Sequence, residues 1–128
     1  MRVLFDTHIV LWSAIGSARM PSAASAMILD PEVEPWFSVA AIWEIAIKGA
    51  RRIPDFLYDP GTVRKRLLAH DWHELAIESD HAIVAAGLPR LHKDPFDRIM
   101  VGQATSEAMT LVTADRTVAR YPGPIRLV

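Results

Sequence analysis

The sequence contains no cysteine, and this absence narrows the chemistry available to the chain. Disulfides and thiolate metal sites are excluded, so any bound metal must be held by oxygen or imidazole ligands. No segment approaches the ~20 uninterrupted apolar residues that a membrane span requires. Asp6 and His8 interrupt the first apolar run. We therefore expect no signal peptide and a protein that works in the cytoplasm.

An excess of charge of one sign is also missing. The 128 residues include 14 Lys and Arg against 15 Asp and Glu, a net charge of -1. This balance does not by itself indicate nucleic-acid binding. Most of the basic residues are arginines, and some stand in pairs such as Arg51-Arg52. These arginines can simply solvate helix faces. Alternatively, if several of the acids converge on one metal site, the bases outnumber the acids on the rest of the surface, which is then mildly basic.

Short apolar runs alternate with longer helical patterns along the chain, which is long enough for one domain over residues 1–128. This alternation predicts an α/β fold, a three-layer α/β/α sandwich whose parallel sheet is covered by helices on both faces. Gly49 is the expected end of the third helix. The predicted helices are 7–14, 22–29, 39–48, 60–70, 79–87 and 95–109, and the predicted strands are 2–5, 36–38, 72–77, 110–113 and 125–127.

Four carboxylates stand where such a fold brings strand ends together. Asp6 directly follows the first strand, and Asp115 comes two residues after the strand 110–113. Asp97 lies in the first turn of the helix that leads into that strand, and Glu44 lies in the helix after the second strand. Ligands of parallel sheets bind at the carboxyl edge. We therefore expect the four acids to converge there.

Converging carboxylates repel one another in a pocket of low dielectric, and a cation relieves that repulsion. Oxygen ligands suit Mg²⁺ or Mn²⁺, which keep part of their water shell and bridge to phosphates. The corresponding chemistry is metal-assisted phosphodiester hydrolysis.

Each acid also has a purely structural interpretation. Asp6 can cap the first helix, Asp97 can act as an acid of a capping box, and Asp115 can cap a turn before Thr117. A Glu44–Lys48 pair four residues apart can lie on a solvent-exposed strip. However, the helix around Glu44 is apolar nearly all round, which favours burial of this carboxylate.

The ordered set of these motifs resembles the PIN-domain family, most closely its VapC-type toxins from prokaryotic toxin–antitoxin pairs, over essentially the whole chain. The segments that carry the resemblance are LFDTH at 4–8, SVAAIWEIAIK at 38–48, HKDPFDR at 92–98 and LVTAD at 111–115.

The resemblance implies a Rossmann-like PIN fold with a central parallel sheet of about five strands, and Mg²⁺- or Mn²⁺-dependent endoribonuclease activity. It places the catalytic and metal-binding acids at Asp6, Glu44, Asp97 and Asp115, with Thr113 supporting the site. It further implies an RNA substrate, a cognate antitoxin that blocks the pocket, and a homodimer or a toxin–antitoxin hetero-oligomer. Some relatives carry another acid where this chain has Arg116-Thr117, so one metal ion and two remain alternatives.

Three further side chains are candidates for substrate binding. Arg98 and Arg116 each follow a proposed metal ligand and could hold a phosphate, with surface pairing on a helix as the alternative. His8 lies two residues after Asp6 and could contact substrate, or could simply pack.

Other function classes fit less well. A non-catalytic RNA- or protein-binding module would be free to lose the four acids. A receiver-like phosphoacceptor domain needs a lysine after a late strand, and none of the lysines of this chain follows residues 110–113. A haloacid-dehalogenase-type phosphatase needs a second acid two residues after Asp6, where this chain has His8.

Overall fold

A computed structural model describes residues 1–128 and contains one parallel sheet of five strands. Their order across the sheet is β3-β2-β1-β4-β5, so β1 lies at the centre between β2 and β4. The strands are β1 Arg2–Phe5, β2 Glu34–Ser38, β3 His73–Leu75, β4 Thr110–Thr113 and β5 Ile125–Leu127.

Six helices connect the strands and cover both faces of the sheet. They are α1 Thr7–Ile15, α2 Ser22–Leu29, α3 Val39–Ala50, α4 Pro60–Ala69, α5 Ser79–Ala86 and α6 Pro95–Ser106, with short 3₁₀ helices at Pro54–Phe56 and Val118–Arg120. None of the six combines the length and the apolar character that crossing a bilayer requires.

Two apolar clusters show that each face of the sheet is packed. Phe5 belongs to a cluster with residues of α1 and α4, whereas its neighbour Leu4 belongs to another with residues of α6. Successive strand residues point to opposite faces, so β1 contributes to both cores. The predicted three-layer α/β/α architecture with a parallel sheet is confirmed.

The boundaries of most predicted elements agree with the structure to within a few residues, and two elements are shorter than predicted. The third strand is confined to His73–Leu75, shorter than the predicted 72–77. The last helix ends at Ser106 and not at 109, because Ala108 adopts a left-handed backbone conformation with φ 53° that no α-helix can contain.

The prediction that Gly49 ends the third helix is wrong, because α3 continues through Ala50. A Cβ atom at position 49 would lie 2.7 Å from the carbonyl oxygen of Phe56. Glycine is therefore required here by the close approach of the following chain. In the same region, the centre of the Phe56 ring lies 5.0 Å from Lys48 Nζ.

We expect Gly49→Ala to lower the free energy of unfolding by about 1–3 kcal/mol, although alanine favours helices, because its methyl group collides with a backbone oxygen. Gly61 of α4 is the matched control, since the nearest atom to its Cβ position is Asp59 Oδ2 at 3.4 Å. Gly61→Ala should be neutral or stabilising by up to about 1 kcal/mol. Urea denaturation of both variants measures the contrast, and equal effects would contradict this explanation.

Candidate active site

A small polar pocket lies at the carboxyl edge of the sheet, beyond the ends of β1 and β4. Its volume is about 70 Å³, enough for an ion with a few water molecules. No apolar side chain lines it. The residues of this acid pocket are Asp6, Thr7, His8, Glu44, Lys48, Asp94, Asp97 and Asp115. The four acids predicted to converge are therefore all present in one pocket.

Asp6 is placed by the central strand and held by the next helix. Its N–H donates to the carbonyl of Val112 at 3.0 Å, and its side chain accepts the N–H of Ile9 at 3.4 Å as the N-cap of α1. Its other carboxylate oxygen accepts a hydrogen bond from the Thr113 hydroxyl. Burial raises the pKa of Asp6, although the bonds from Thr113 and Ile9 oppose this effect.

Glu44 lies in the second turn of α3 and is only 3% exposed. One carboxylate oxygen accepts from the Thr7 hydroxyl at 2.5 Å, and the other lies 2.5 Å from Lys48 Nζ. Lys48 also lies 3.4 Å from Asp94, so its ammonium group bridges two carboxylates inside the pocket. Burial lowers the pKa of Lys48, but its bonds and charge interactions with Glu44 and Asp94 outweigh that effect and raise it.

Asp97 lies in the first turn of α6, whose N-cap is Asp94. One oxygen of its carboxylate lies 2.9 Å from His92 Nε2, and His92 Nδ1 lies 2.7 Å from the hydroxyl of Tyr121. Burial and the charge of Asp94 raise the pKa of Asp97 to about 7, with smaller contributions from Glu44 and Asp6 and an opposing effect of the His92 bond. The pocket lining has an excess of negative charge, because its carboxylates outnumber its one ammonium group, that of Lys48.

Asp115 is the exposed member of the set and caps the turn that follows β4. Its side chain accepts the N–H groups of Thr117 and Val118 at 2.7 and 3.4 Å. Its own N–H donates to the Thr113 hydroxyl at 3.0 Å. The hydroxyl of Thr113, a fully buried residue, therefore links Asp6 and Asp115 through two hydrogen bonds. For Asp6 and Asp115, capping and convergence are not alternatives, because the same carboxylate does both. The capping role predicted for Asp97 is filled by Asp94, and the Asp97 side chain contacts His92 instead.

The three residues predicted to contact substrate are placed differently from one another. His8 lines the acid pocket. Arg98 does not, because its guanidinium donates to the backbone carbonyls of Ala85, Leu88 and Pro89. Both terminal nitrogens of Arg98 are therefore engaged by the protein, and they hold the loop that connects α5 to α6. Arg116 is exposed and lies outside the pocket lining.

The Glu44–Lys48 pair considered in the sequence does form, but it lies in the pocket with a buried carboxylate and not on a solvent-exposed strip. Sequence reasoning missed Lys48 and Asp94 as members of the pocket and His92 as the partner of Asp97. Helical spacing could have indicated two of them. Lys48 lies four residues after Glu44 and on its face of α3, and Asp94 lies one turn before Asp97. Nothing in the sequence indicates that His92 and Tyr121, 29 residues apart, meet behind Asp97.

The pocket fits a hard divalent cation by its chemistry. Its donors are carboxylate oxygens, which suit Mg²⁺ and Mn²⁺. The pKa of Asp97 is raised first by burial and then by the charges of neighbouring carboxylates, and a bound cation would oppose both effects. As the side chains stand, no three Asp, Glu or His groups form a ready-made metal cluster. Lys48, Thr7 and His92 satisfy Glu44 and Asp97 instead.

Comparison with known proteins bears on this arrangement. A family model described as PIN domain matches residues 3–124, nearly the whole chain. The chain belongs to the PIN-domain family. A comparison of this PIN domain with curated proteins gives no significant match.

Solved structures share the fold of this PIN domain at low sequence identity. VapBC2 from Rickettsia felis bound to a DNA fragment from their promoter matches with a TM-score of 0.70 and 13% identity, over 100% of this chain and 99% of that one. DNA-bound VapBC from Salmonella typhimurium gives 0.66 and 17%, over 98% and 97%. A toxin–antitoxin complex from Klebsiella pneumoniae gives 0.63 and 20%, over 97% and 95%. At such identities the likeness establishes the fold.

Proposed function

We propose that this PIN domain is a Mg²⁺-dependent endoribonuclease of the VapC type, the toxin of a toxin–antitoxin pair. The observation that carries the proposal is the meeting of Asp6, Glu44, Asp97 and Asp115 in one pocket with no apolar lining. They come from four separate segments of the chain. Such an arrangement costs stability through repulsion, which makes a function for it the simplest explanation.

In this proposal Asp6, Glu44, Asp97 and Asp115 hold Mg²⁺ or Mn²⁺, directly or through water. The bound cation supplies an activated water and neutralises charge that develops on the phosphate. Thr113 fixes the relative positions of Asp6 and Asp115 through its hydroxyl. His92 orients Asp97, since it contacts both that carboxylate and Tyr121.

The proposal also requires a rearrangement of the pocket when a cation binds. Lys48 now neutralises Glu44 and Asp94, and it must release Glu44 for that carboxylate to bind a metal. The (CH₂)₄ stem of a lysine allows such a movement at low cost. Lys48 therefore keeps the metal-free pocket stable and then becomes available to a phosphate oxygen.

Regulation by a cognate antitoxin belongs to the same proposal. VapBC assemblies and a toxin–antitoxin complex share the fold of this chain. A bound antitoxin would block the acid pocket, in a hetero-oligomer or alongside a homodimer of this chain. The toxin would act in the cytoplasm of a prokaryote, where its RNA substrate is found.

The decisive experiment incubates the purified chain with structured RNA. We expect cleavage with Mg²⁺, no cleavage with EDTA, and recovery when Mg²⁺ is added in excess. The protein encoded beside it in the genome, added in equimolar amount, should abolish cleavage. Cleavage that persists in EDTA would contradict the metal dependence, and RNA that stays intact with every divalent cation would contradict the enzymatic function.

One observation favours a second candidate, a PIN-like module that binds RNA or protein without catalysis. The carboxylates of Glu44 and Asp97 already have protein partners, and no ready-made metal cluster is present. The same experiment separates the two, because a binding module would retain RNA without cleaving it under any metal condition.

A further inference from the structure

A second cavity opens directly beside the acid pocket. Its volume is about 370 Å³, about five times that of the acid pocket, and the two share Asp6, His8 and Asp115. We call it the side groove. Its remaining polar and aromatic lining residues are Trp12, Arg19 and Asp55. A polymer whose reacting phosphate lies at the shared acids can therefore extend directly into this groove.

We propose that the side groove binds the RNA strand next to the scissile phosphate, and that Arg19 is the residue that holds its backbone. This inference rests on the proposed function, since it assigns a binding surface to that same site. Arg19 is the only cationic side chain, apart from a histidine, in the groove lining. Its guanidinium presents a planar set of donors that matches a phosphate.

Asp55 occupies the position that the proposal gives to the phosphate. One carboxylate oxygen of Asp55 lies 3.2 Å from Arg19, and the other lies 4.0 Å from His8 Nε2. The side chains of Arg19 and Asp55 are 60% and 47% exposed. Exposed ion pairs contribute little to stability. Arg19 can therefore exchange Asp55 for a phosphate at small cost.

Trp12 directs Arg19 toward the groove. The guanidinium carbon of Arg19 lies 5.3 Å from the centre of the Trp12 ring, within the range of a cation–π contact. The His8 ring lies 5.4 Å from the Trp12 ring and 5.2 Å from that of Phe56. The groove thus places an indole and an imidazole ring beside one guanidinium group, and its carboxylates other than Asp55 are those of the proposed metal site. Rings available for stacking next to a cation suit a single-stranded nucleic acid.

The test measures binding of a fluorescein-labelled single-stranded RNA by fluorescence anisotropy with Mg²⁺ present. All proteins carry Asp97→Asn, so that cleavage does not consume the probe. Arg19→Gln should weaken binding about five- to tenfold and lower the slope of log affinity against log salt by about 0.7. Arg19→Lys should fall between. Asp55→Asn should strengthen binding about two- to fivefold, because it removes a competing negative charge.

Arg64→Gln is the matched control. Arg64 also belongs to an exposed ion pair, with Glu74 at 2.7 Å, but lines neither the groove nor the pocket. Its loss should change affinity less than twofold. Thermal melts by circular dichroism establish that each variant is folded.

The proposal is overturned if the Asp97→Asn protein does not bind the RNA, if Arg19→Gln binds as well as Arg64→Gln, or if Asp55→Asn weakens binding as Arg19→Gln does. The last outcome would mean that the Arg19–Asp55 ion pair supports the local structure and does not bind RNA. Cleavage by the parent chain is scored separately. RNA cleavage combined with an inert Arg19 would reject the groove and keep the ribonuclease, whereas the expected binding pattern without cleavage would do the reverse.

Discussion

The Asp97→Asn variant is expected to lose RNA cleavage by at least about a hundredfold and yet to be more stable than the parent when no metal is present. The loss of activity follows because a proposed metal ligand is removed, and even the partners of metal ligands are worth about 10- to 100-fold. The amide keeps the size of the side chain and its ability to pair with His92. Single-turnover cleavage with Mg²⁺ measures this effect.

The gain in stability follows from the pKa of Asp97. It is raised from 3.8 to about 7 in the folded protein, so the folded state binds this proton more tightly than the unfolded state. Stability that is present below pH 4 is therefore lost as the pH rises toward 7. At pH 8 without metal, Asp97→Asn should add about 1–3 kcal/mol to the free energy of unfolding.

The pH of the measurement provides the control. At pH 4 the parent carboxyl is itself mostly protonated in the folded state, so the advantage of the amide should disappear. Urea denaturation in EDTA at the two pH values measures the difference. An asparagine variant that is less stable than the parent at both pH values would show that the pocket does not disfavour a charged carboxylate at this position.

The Lys48→Met variant is expected to lose about 2–3 kcal/mol of stability in EDTA and to recover most of it when Mg²⁺ is added. Its ammonium group is the partner of Glu44, which is 3% exposed. Removal of one member of a buried pair leaves an uncompensated charge. Methionine keeps the length and the apolar stem of the side chain, so packing against Phe56 is retained.

Mg²⁺ should rescue the variant because a cation then takes over the role of the ammonium group, and a ligand that binds only the folded state stabilises it. The double variant Glu44→Gln/Lys48→Met also lacks the buried carboxylate, so it has no uncompensated charge at position 44 for Mg²⁺ to neutralise. It should be more stable than Lys48→Met in EDTA and should gain less stability from Mg²⁺ than Lys48→Met does. Thermal melts of the parent, of Lys48→Met and of the double variant, each in EDTA and with Mg²⁺, measure this. A Lys48→Met protein that Mg²⁺ does not stabilise would argue against cation binding at Glu44.

The topology that brings the acids together could be predicted because it depends on chain order. Asp6 and Asp115 follow strands that pair in parallel, with Phe5 opposite Val112. Parallel strands end at one edge of a sheet, so their following residues must be neighbours. Asp97 and Glu44 lie on helices that begin at that edge, and the periodicity of these helices was readable in the sequence.

The details inside the pocket could not be predicted because they depend on side-chain direction and on contacts that are distant in sequence. Arg98 is adjacent to Asp97, yet its guanidinium turns toward the carbonyls at the end of α5. Gly49 looked like a helix end, but the close approach of Phe56 determines its identity. Arg19 and Asp55 meet across 36 positions, and neither segment carries a motif.

The most direct test of the central claim is a titration of the metal-free protein with Mn²⁺, with the free ion measured by electron paramagnetic resonance. We predict that the parent binds Mn²⁺ and that Asp6→Asn weakens binding at least about tenfold. Glu32→Gln should not change it, because Glu32 is an exposed acid that precedes β2, at the opposite edge of the sheet. Equal Mn²⁺ binding by the parent and Asp6→Asn, or no binding by a parent that cleaves RNA, would contradict the assignment of the acid pocket as the metal site.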